Sequence, residues 1–242
     1  MKVSVIIPAA GLGTRMGRGS AEKSGTSRKQ FMLLNGDPIL LHTVRKFAAS
    51  PRVAEIVIAL RAEDVSWASE LMQQQNFPLP VRIVEGGDSR QQSVENALAT
   101  LTPDTDLVAV HDAVRPFIDL ETIDKVIDAA AEAGAAIVGI IPVDTVKQVH
   151  LHKIRQTISR ERLVLAQTPQ VFRLDLLREA FSQASTDQFT GTDESSLVER
   201  LERVEVSVVL GSDRNIKITK PTDMDWARLL LAQETSPREP VA

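Results

Sequence analysis

The amino-acid sequence predicts an α/β fold: a modified doubly wound, Rossmann-like, mostly parallel sheet with helices on both faces and a protruding β-arm. Short apolar runs alternate with segments of helical periodicity, which is the order typical of a parallel sheet covered by helices. The runs are rich in Val and Ile and show little polar alternation, as expected for strands that are buried on both faces. With 242 residues, the chain is long enough to bury a substantial core.

The predicted elements follow one another in βαβα order. The strands are predicted at 3–8, 53–60, 81–87, 106–112, 134–143 and 204–210. The helices are predicted at 38–50, 62–75, 90–101, 120–132, 174–185, 193–202 and 221–233. No segment resembles an interdomain linker, so residues 1–233 are expected to form one domain. The polar segment 234–242 contains two prolines and is expected to be a flexible tail.

The alternation of strands and helices stops at Asp144. The segment 144–172 is polar and roughly alternating, with no helix signal before Glu161, so it is predicted to be a two-stranded excursion out of the sheet. An isolated hairpin is only marginally stable in water. The arm at 144–160 is therefore expected to pack on a second subunit and form a homodimer. A hairpin folded back on its own domain is the alternative.

Composition excludes several classes of function. The net charge of −4 argues against nucleic acid as a partner, and the absence of cysteine excludes disulfides, thiolate metal sites and cysteine nucleophiles. No apolar run has the roughly 18 residues of a membrane span, so no membrane association is expected. The N-terminal residues lack the pattern of a signal peptide. The sequence therefore predicts a cytoplasmic protein.

The first strand leads into the glycine-containing stretch PAAGLGTRMG, residues 8–17. A dinucleotide fingerprint requires a third glycine where Met16 stands, and no Walker A string occurs in the chain. Five cations and one acid lie within 15–29. On charge alone this segment could be a solvated, mobile loop. Its position after a strand of an α/β sheet favours an anion-binding loop instead, because ligands bind at the carboxyl ends of such strands.

Polar clusters also follow four other predicted strands. They are EGGDSRQQSV (85–94), HDAVRP (111–116), DTVK (144–147) and GSDRNIKITKP (211–221). Because these strand ends meet at one edge of the sheet, the clusters predict a single crevice with glycines, cations and one or two carboxylates, which suits a polyphosphate substrate. Each cluster could also be an ordinary turn, with Asp112 paired to Arg115 and Lys217 at the surface.

Together with KQF, TPQVF and TDE, these segments resemble the methylerythritol 4-phosphate cytidylyltransferase family of nucleotidyltransferases over about residues 3–233. The resemblance implies transfer of CMP from CTP to methylerythritol 4-phosphate, with release of pyrophosphate, in non-mevalonate isoprenoid biosynthesis. It also implies a homodimer in which the arm reaches the partner's active site. The attacking phosphate oxygen is already ionised near neutral pH, so the chemistry requires cations and Mg²⁺ rather than a general base.

For the nucleotide, the resemblance assigns stabilisation of the transition state to Arg15 and Lys29. The residues that it places around the cytidine and along the loop beneath the phosphates are Ala9, Ala10, Gly11, Gly13, Gly87, Asp88 and Ser93. The segment 16–28 is longer than is usual in the family, and Arg28 stands where proline is common. We expect this loop to close on CTP. Lys23 is an alternative to Lys29 for the catalytic role.

For the acceptor, the resemblance assigns positioning of the methylerythritol phosphate to Arg160 and Lys217. It places Thr145, Arg115 and Asp112 beside that phosphate, with Thr145 and Arg160 serving the neighbouring subunit. A magnesium ion should arrive with the triphosphate and keep several water ligands. Asp112 is the candidate to contact this ion, and a structural pair between Asp112 and Arg115 is the alternative.

Other functions remain open at the level of sequence. The acceptor could be another polyol phosphate, such as ribitol 5-phosphate, because sequence alone reads the acceptor pocket poorly. A sugar 1-phosphate nucleotidyltransferase is a more distant possibility, for which a larger acceptor domain is usual. A non-catalytic nucleotide-binding subunit with the same fold is the alternative from another class. The presence of Arg15, Lys29 and Lys217 argues against it.

Overall fold

The computed structural model describes residues 1–11 and 28–235. Its strands, in chain order, are β1 (Val3–Pro8), β2 (Leu33–Leu34), β3 (Asp37–Pro38), β4 (Val53–Leu60), β5 (Val81–Glu85), β6 (Leu107–Val110), β7 (Ala135–Ile140), β8 (Val146–His150), β9 (Lys153–Ile158), β10 (Leu165–Arg173) and β11 (Ser207–Leu210). Its α-helices are α1 (Ile39–Ala48), α2 (Ala62–Gln73), α3 (Arg90–Ala99), α4 (Leu120–Ala133), α5 (Leu174–Thr186), α6 (Glu194–Glu199) and α7 (Pro221–Thr235). All predicted strands and helices are present, with ends that differ by a few residues.

The centre of the fold is a seven-stranded sheet in the order β11-β7-β10-β6-β1-β4-β5. Every neighbouring pair is parallel except the two pairs made by β10, which is antiparallel to both β6 and β7. The predicted mostly parallel sheet is confirmed. Because six of the seven strands run the same way, the loops that follow them meet at one edge, which we call the carboxyl edge.

The strand β10 corrects the sequence-based interpretation of 144–172. Only β8 and β9 leave the main sheet, whereas Leu165–Arg173 lies at its centre. The sequence concealed this strand because Gln167, Thr168 and Gln170 are polar yet buried, and because a proline interrupts the run. Buried polar residues in a strand remove the apolar signal on which the prediction of central strands depends.

Helices cover both faces of the sheet. On one face, Val5 and Ile7 of β1 pack in a cluster with α1, α2 and α4. On the other face, Ile6 packs in a second cluster with α3, α5 and α6. Successive residues of β1 therefore point into opposite cores, as the pleat of a strand requires. None of the helices within the described ranges combines the length and the apolar character that crossing a membrane needs.

Capping residues fix the helices that start at the carboxyl edge. The side chain of Ser89 accepts a hydrogen bond from the Gln92 amide at the start of α3. The side chain of Asp193 does the same for Ser196 at the start of α6. Such caps satisfy amide groups that have no partner inside the helix. They place the first residues of α3 and α6 firmly beside the ends of the strands.

The arm consists of β8 and β9, which pair with each other and form a separate two-stranded sheet. Leu151 and His152 make its turn with φ values of 47° and 61°, and a bulge interrupts the register after Gln148. Val149 and Ile154 are exposed by 55% and 64%. The hairpin therefore presents apolar side chains outward from a segment that has little apolar contact of its own.

Gly134 ends α4 and connects it to β7. Its φ of 88° is left-handed, and its amide closes the helix on the Ala130 carbonyl. A Cβ at this position would meet its neighbours only at 3.6 Å and beyond, so the cost of a side chain comes from the backbone conformation. We expect Gly134→Ala to lower the free energy of unfolding by about 1 kcal/mol. Urea titration measures this value.

Gly134→Asn is the matched variant, because asparagine tolerates the left-handed region better than alanine. It should lose less stability than Gly134→Ala. Glu132→Ala, an exposed change at the end of the same helix, should change little. Equal losses for the alanine and asparagine variants would contradict this account of the turn.

Candidate active site

A crevice with a volume of about 240 Å³ opens at the carboxyl edge of the sheet. Four segments and two further side chains line it: 8–11, 29–30, 87–90, 112–114, Ser93 and Lys217. Four of the five predicted polar clusters therefore contribute to one crevice. The cluster at 144–147 is not among the lining segments, and its Thr145 is exposed.

The first wall of the crevice combines the end of β1 with the short 3-10 helix Lys29–Phe31. The buried amide of Gln30 donates to the carbonyl oxygen of Ala9 at 2.6 Å and to that of Gly11 at 3.2 Å. Phe31 packs edge-on against Trp67, with ring centroids 4.9 Å apart. Because these contacts fix Gln30 and Phe31, they also hold the preceding residue, Lys29, in the wall. Gln30 belongs to the segment KQF, but it was not predicted from the sequence as a site residue.

Part of the predicted nucleotide loop lies outside the described residues. Gly13, Arg15 and Lys23 fall between residues 11 and 28. The predicted closure of this loop on CTP falls there too and stays a prediction. Arg28, the first residue described after it, forms ion pairs with Glu63 and Asp64 at the start of α2.

The second wall is the turn from β5 into α3. The hydroxyl of Ser93 accepts from the Gly87 amide at 3.1 Å and donates to the Ser89 carbonyl at 2.8 Å. A Cβ on Gly87 would lie 2.3 Å from the Gln92 side chain, and one on Gly86 would lie 2.9 Å from the Cβ of Ala10. Glycine is needed at position 86 because the two walls approach each other closely, and at position 87 because the first turn of α3 packs against the backbone.

A shared carboxylate lies at the base of the crevice. Oδ2 of Asp112 lies 2.8 Å from the Lys217 ammonium and accepts from Arg115 Nε at 3.2 Å. Oδ1 accepts from Arg90 Nε at 3.3 Å. Asp112 is buried at the end of β6, so three cations from separate parts of the chain converge on one carboxyl group. The predicted pair between Asp112 and Arg115 is present.

The side chains of Arg90 and Glu194 extend this network, and sequence reasoning missed both. Arg90 lines the crevice and donates through Nη1 to Glu194 Oε1 at 2.6 Å. Glu194 is the first residue of α6 and is only 1% exposed. The network holds three cations and two carboxylates, which leaves one net positive charge for an anionic substrate. Arg90 lies in the string DSR and Glu194 lies in the string TDE. The two residues are 104 positions apart in the chain, so nothing in either string indicates the contact.

The pKa values of the network follow from burial opposed by charge. Burial alone would raise the pKa of Asp112, but Arg90, Lys217 and Arg115 together hold it well below its usual range. Burial lowers the pKa of Arg115. For Arg90, the two carboxylates outweigh burial and raise the pKa. Burial raises the pKa of Glu194, because Arg90 compensates its charge only in part.

His111 supports the turn that carries Asp112 and Arg115. Its Nε2 lies 3.0 Å from the Arg115 carbonyl oxygen, and its ring packs edge-on against Phe47. Complete burial lowers the pKa of His111 to about 4, so the ring is neutral near pH 7 and Nε2 carries the proton that is donated. His111 is therefore a structural residue, with no free edge toward the crevice for acid or base chemistry.

The amino end of β10 packs behind the shared carboxylate. The Asp112 amide donates to the Thr168 hydroxyl at 3.0 Å. The side-chain amide of Asn215 donates to the Thr168 backbone carbonyl at 2.9 Å and to Gln167 Oε1 at 3.0 Å, and the backbone carbonyl of Asn215 accepts from Arg115 Nη1 at 2.7 Å. These buried polar contacts hold the 211–217 segment against β10 and against the turn that follows β6. Thr168 lies in the segment TPQVF, directly after Gln167, and Asn215 lies in RNIKIT. The sequence did not predict a role for any of the three residues.

The structure does not bring Thr145 and Arg160 into the crevice of their own chain. Both are exposed, and neither is among the described lining residues. Arg160 begins a short 3-10 helix and donates to the carbonyl oxygen of Val143 at the base of the arm. Their predicted role at a neighbouring subunit's site stays a prediction.

A cage of protein ligands for a metal ion is not found in the described ranges, where no three His, Asp or Glu side chains gather around a common point. Both oxygens of Asp112 already accept from cations. The donor set present suits anions, and a magnesium ion here would depend mainly on phosphate and water ligands. The predicted contact between Asp112 and the ion stays a prediction.

Comparisons with known proteins agree on one family. The family model described as IspD, 2-C-methyl-D-erythritol 4-phosphate cytidylyltransferase, matches residues 3–233. Proteins of that name from Solibacter usitatus and Acidobacterium capsulatum are 68% and 50% identical to this chain; each alignment covers 98% of this chain, and 98% and 100% of the relatives.

Solved structures give the same result. The 4-diphosphocytidyl-2C-methyl-D-erythritol synthase from Anaerococcus prevotii superposes with a TM-score of 0.82 at 29% identity, covering 95% of this chain and 98% of the other. The 2-C-methyl-D-erythritol 4-phosphate cytidylyltransferase from Thermus thermophilus superposes with a TM-score of 0.77 at 31% identity, covering 96% of this chain and all of the other.

Replacement of the shared carboxylate tests its role in stability. In Asp112→Asn, the side chain keeps its size, but three buried or half-buried cations lose their common counter-ion. Removing one partner from such a network should lower the free energy of unfolding by about 3 kcal/mol, as measured by urea titration at pH 7.

Asp128→Asn is the control for this measurement. Asp128 pairs with Arg52 at 2.8 Å, but its side chain is 68% exposed, so its loss should cost less than about 1 kcal/mol. Similar losses for the two variants would show that Asp112 is not a special counter-ion.

Proposed function

Because the chain belongs to the 2-C-methyl-D-erythritol 4-phosphate cytidylyltransferase (IspD) family, we propose that the crevice at the carboxyl edge is the active site of its reaction. The chain is an enzyme that transfers CMP from CTP to 2-C-methyl-D-erythritol 4-phosphate in isoprenoid biosynthesis and releases pyrophosphate. The observation that carries the proposal for the site is the convergence of Lys217, Arg90 and Arg115 on Asp112 beside a glycine-lined wall.

The chemistry explains why this composition suffices. A phosphate oxygen of the acceptor forms a bond to the α-phosphorus of CTP, and the bond from that phosphorus to the oxygen bridging the α- and β-phosphates breaks. Pyrophosphate leaves with the electron pair. The attacking oxygen is already ionised near neutral pH, so the protein has to hold two polyanions together and stabilise charge at phosphorus. His111, buried and neutral, fits a site that needs no general base.

For the nucleotide, the family and the first two walls support the following roles. Lys29 and Arg15 stabilise the charge that develops on the phosphates, with Arg15 outside the described residues. The backbone from Ala9 to Gly13, of which the structure describes the residues up to Gly11, approaches the phosphates. The turn with Gly87, Asp88 and Ser93 receives the cytidine, since hydrogen bonds to the side chains of Ser93 and Gln92 fix its backbone.

For the acceptor, Lys217 binds the methylerythritol phosphate next to Asp112, with Arg115 beneath them. Thr145 and Arg160 complete this half of the site from a second subunit, whose arm reaches across a homodimer interface. The exposed apolar side chains of the arm support an interface there. Residues 1–233 act as one domain in this proposal, which the family match over 3–233 supports.

The magnesium ion in this proposal enters with CTP. It supplies charge neutralisation on the triphosphate when bound and keeps water ligands. Asp112 is the protein group closest in chemistry to a ligand for it, and contact would require Asp112 to share an oxygen that now accepts from a cation. We also propose that the enzyme acts in the cytoplasm.

The other functions considered are less well supported. The family match does not favour another polyol phosphate such as ribitol 5-phosphate. A non-catalytic nucleotide-binding subunit would not need two lysines in one crevice. Here Lys29 lies in the first wall and Lys217 lies at the base.

Steady-state turnover tests the site. The wild-type protein with CTP, Mg²⁺ and methylerythritol 4-phosphate should release pyrophosphate, and ribitol 5-phosphate should give little. Lys217→Ala should lower kcat/KM for the acceptor by about 100-fold, the usual cost of removing one group that stabilises reacting charge. Lys220→Ala, an exposed lysine three positions away, should leave turnover within about twofold of wild type. A similar loss in both lysine variants would argue against this crevice as the active site.

Subunit complementation tests the arm. Arg160→Ala and Lys217→Ala should each be nearly inactive alone. If Arg160 acts across the interface, mixing and exchanging the two proteins creates heterodimers with one intact site each. Activity should then return to about a quarter of the wild-type value for random exchange. Light scattering establishes the dimer and the exchange. A mixture that exchanges subunits and stays inactive would place Arg160 outside the partner's site.

A further inference from the structure

We propose that Glu194 is a positioning residue for the transfer reaction: its carboxylate holds the Arg90 guanidinium in place and thereby keeps Asp112 available to Lys217. The inference rests on the proposed function of the crevice, and it assigns a role to a residue that does not line it. Glu194 acts through Arg90 and needs no contact with substrate.

The distances define a chain of charges across the crevice floor. Arg90 bridges two carboxylates, with Nη1 at 2.6 Å from Glu194 Oε1 and Nε at 3.3 Å from Asp112 Oδ1. The Lys217 ammonium takes the other oxygen of Asp112 at 2.8 Å. The shorter of the two contacts of Arg90 is the one to Glu194. Arg90 is therefore held mainly by Glu194, and Asp112 keeps Oδ2 for its other partners.

The burial of Glu194 is costly and requires an explanation. Its side chain is 2% exposed, and its second oxygen, Oε2, has no hydrogen-bond partner among the described residues. A buried carboxylate that is only partly satisfied destabilises the folded protein relative to a well-packed apolar side chain. A residue that served packing alone would avoid this cost. The charge is explained if it fixes a cation that the reaction needs.

The surroundings of Glu194 are rigid enough for this role. The buried amide of Gln170 donates to the Asp193 carboxylate at 2.7 Å and accepts from the Ser195 amide at 3.0 Å, so β10 fixes the first turn of α6 on both sides of Glu194. Gln91 donates to the Phe189 carbonyl at 3.2 Å and ties the first turn of α3 to the segment before α6. Glu194 and Arg90 therefore face each other from two connected helix starts.

The expected consequence falls on the acceptor half of the site. Without the charge of Glu194, Arg90 keeps Asp112 as its only carboxylate partner in the network and competes there with Lys217 and Arg115. The ammonium of Lys217 then loses its fixed place. The two walls proposed to bind the nucleotide are held by other contacts, from Gln30 to Ala9 and from Gly87 to Ser93, so CTP affinity should change little.

The test compares Glu194→Gln with Glu194→Asp and with Glu199→Gln, an exposed change on the same helix. Glu194→Gln keeps the size and removes the charge. Its kcat/KM for methylerythritol phosphate should fall about 100-fold, the effect of misplacing a reacting group by the order of 1 Å. Its Kd for CTP, from calorimetry without acceptor, should stay within about threefold of wild type. Glu194→Asp should recover part of the loss, and Glu199→Gln should behave as wild type.

A pH profile separates positioning from simple loss of structure. The groups that face Glu194 are Arg90 from α3 and Asp112 after β6, with Asp193 on its own helix. Burial raises the pKa of Glu194, so falling pH protonates it before an ordinary carboxylate and releases Arg90. As the pH falls through the raised pKa of Glu194, the kcat/KM of the wild-type protein should decrease. The Glu194→Gln variant should not show this decrease. Ionisation of the acceptor phosphate contributes equally to both profiles.

Three results would overturn the inference: wild-type turnover in Glu194→Gln, parallel loss of CTP binding and turnover, or identical pH profiles. Wild-type protein that fails to turn over CTP with the acceptor would instead contradict the proposed function, so the two failures are distinguishable.

Discussion

The buried carboxylate of Asp112 provides the electrostatic constraint on which the crevice depends. A site for two polyanions needs several cations at close range, but like charges at such distances repel one another strongly when water is excluded. Asp112 resolves this conflict by accepting from Lys217, Arg115 and Arg90 at once. Because it lies at the end of the central strand β6, it gathers cations from the start of α3, from its own turn and from the segment after β11. Glu194 balances the set without occupying the crevice.

Much of this arrangement could be predicted from sequence, because the signals are local. Apolar runs located six strands of the sheet, and the glycines and polar residues after them located the crevice. Ala9 to Gly11 and the turn at Gly87 and Asp88 lie in the lining of this crevice. Lys29 and Lys217 lie in the same crevice although 187 intervening residues separate them in the chain. Parallel strands make such convergence a consequence of topology.

What the sequence concealed are contacts that depend on the packing of distant segments. Arg90 and Glu194 are ordinary first-turn residues of two helices, and nothing local indicates that they form a buried pair. Gln30, Thr168 and Asn215 are uncharged polar residues whose role is to satisfy backbone groups across the fold. Such residues give no periodic signal, since their partners are determined by three-dimensional proximity. The buried strand β10 was missed for the same reason.

The direction of β10 connects the arm to the chemistry. A strand that ran parallel to β7 would require a crossover to the opposite edge of the sheet. Because β10 runs antiparallel, the chain leaves β7 at the carboxyl edge, forms the arm, and returns at that same edge. The reversal therefore places Thr168 and Gln167, at the amino end of β10, behind Asp112, and it projects the arm from beside the crevice. One antiparallel strand thus supplies the support behind Asp112, and in the proposed homodimer it also gives the arm the position from which it reaches a second subunit.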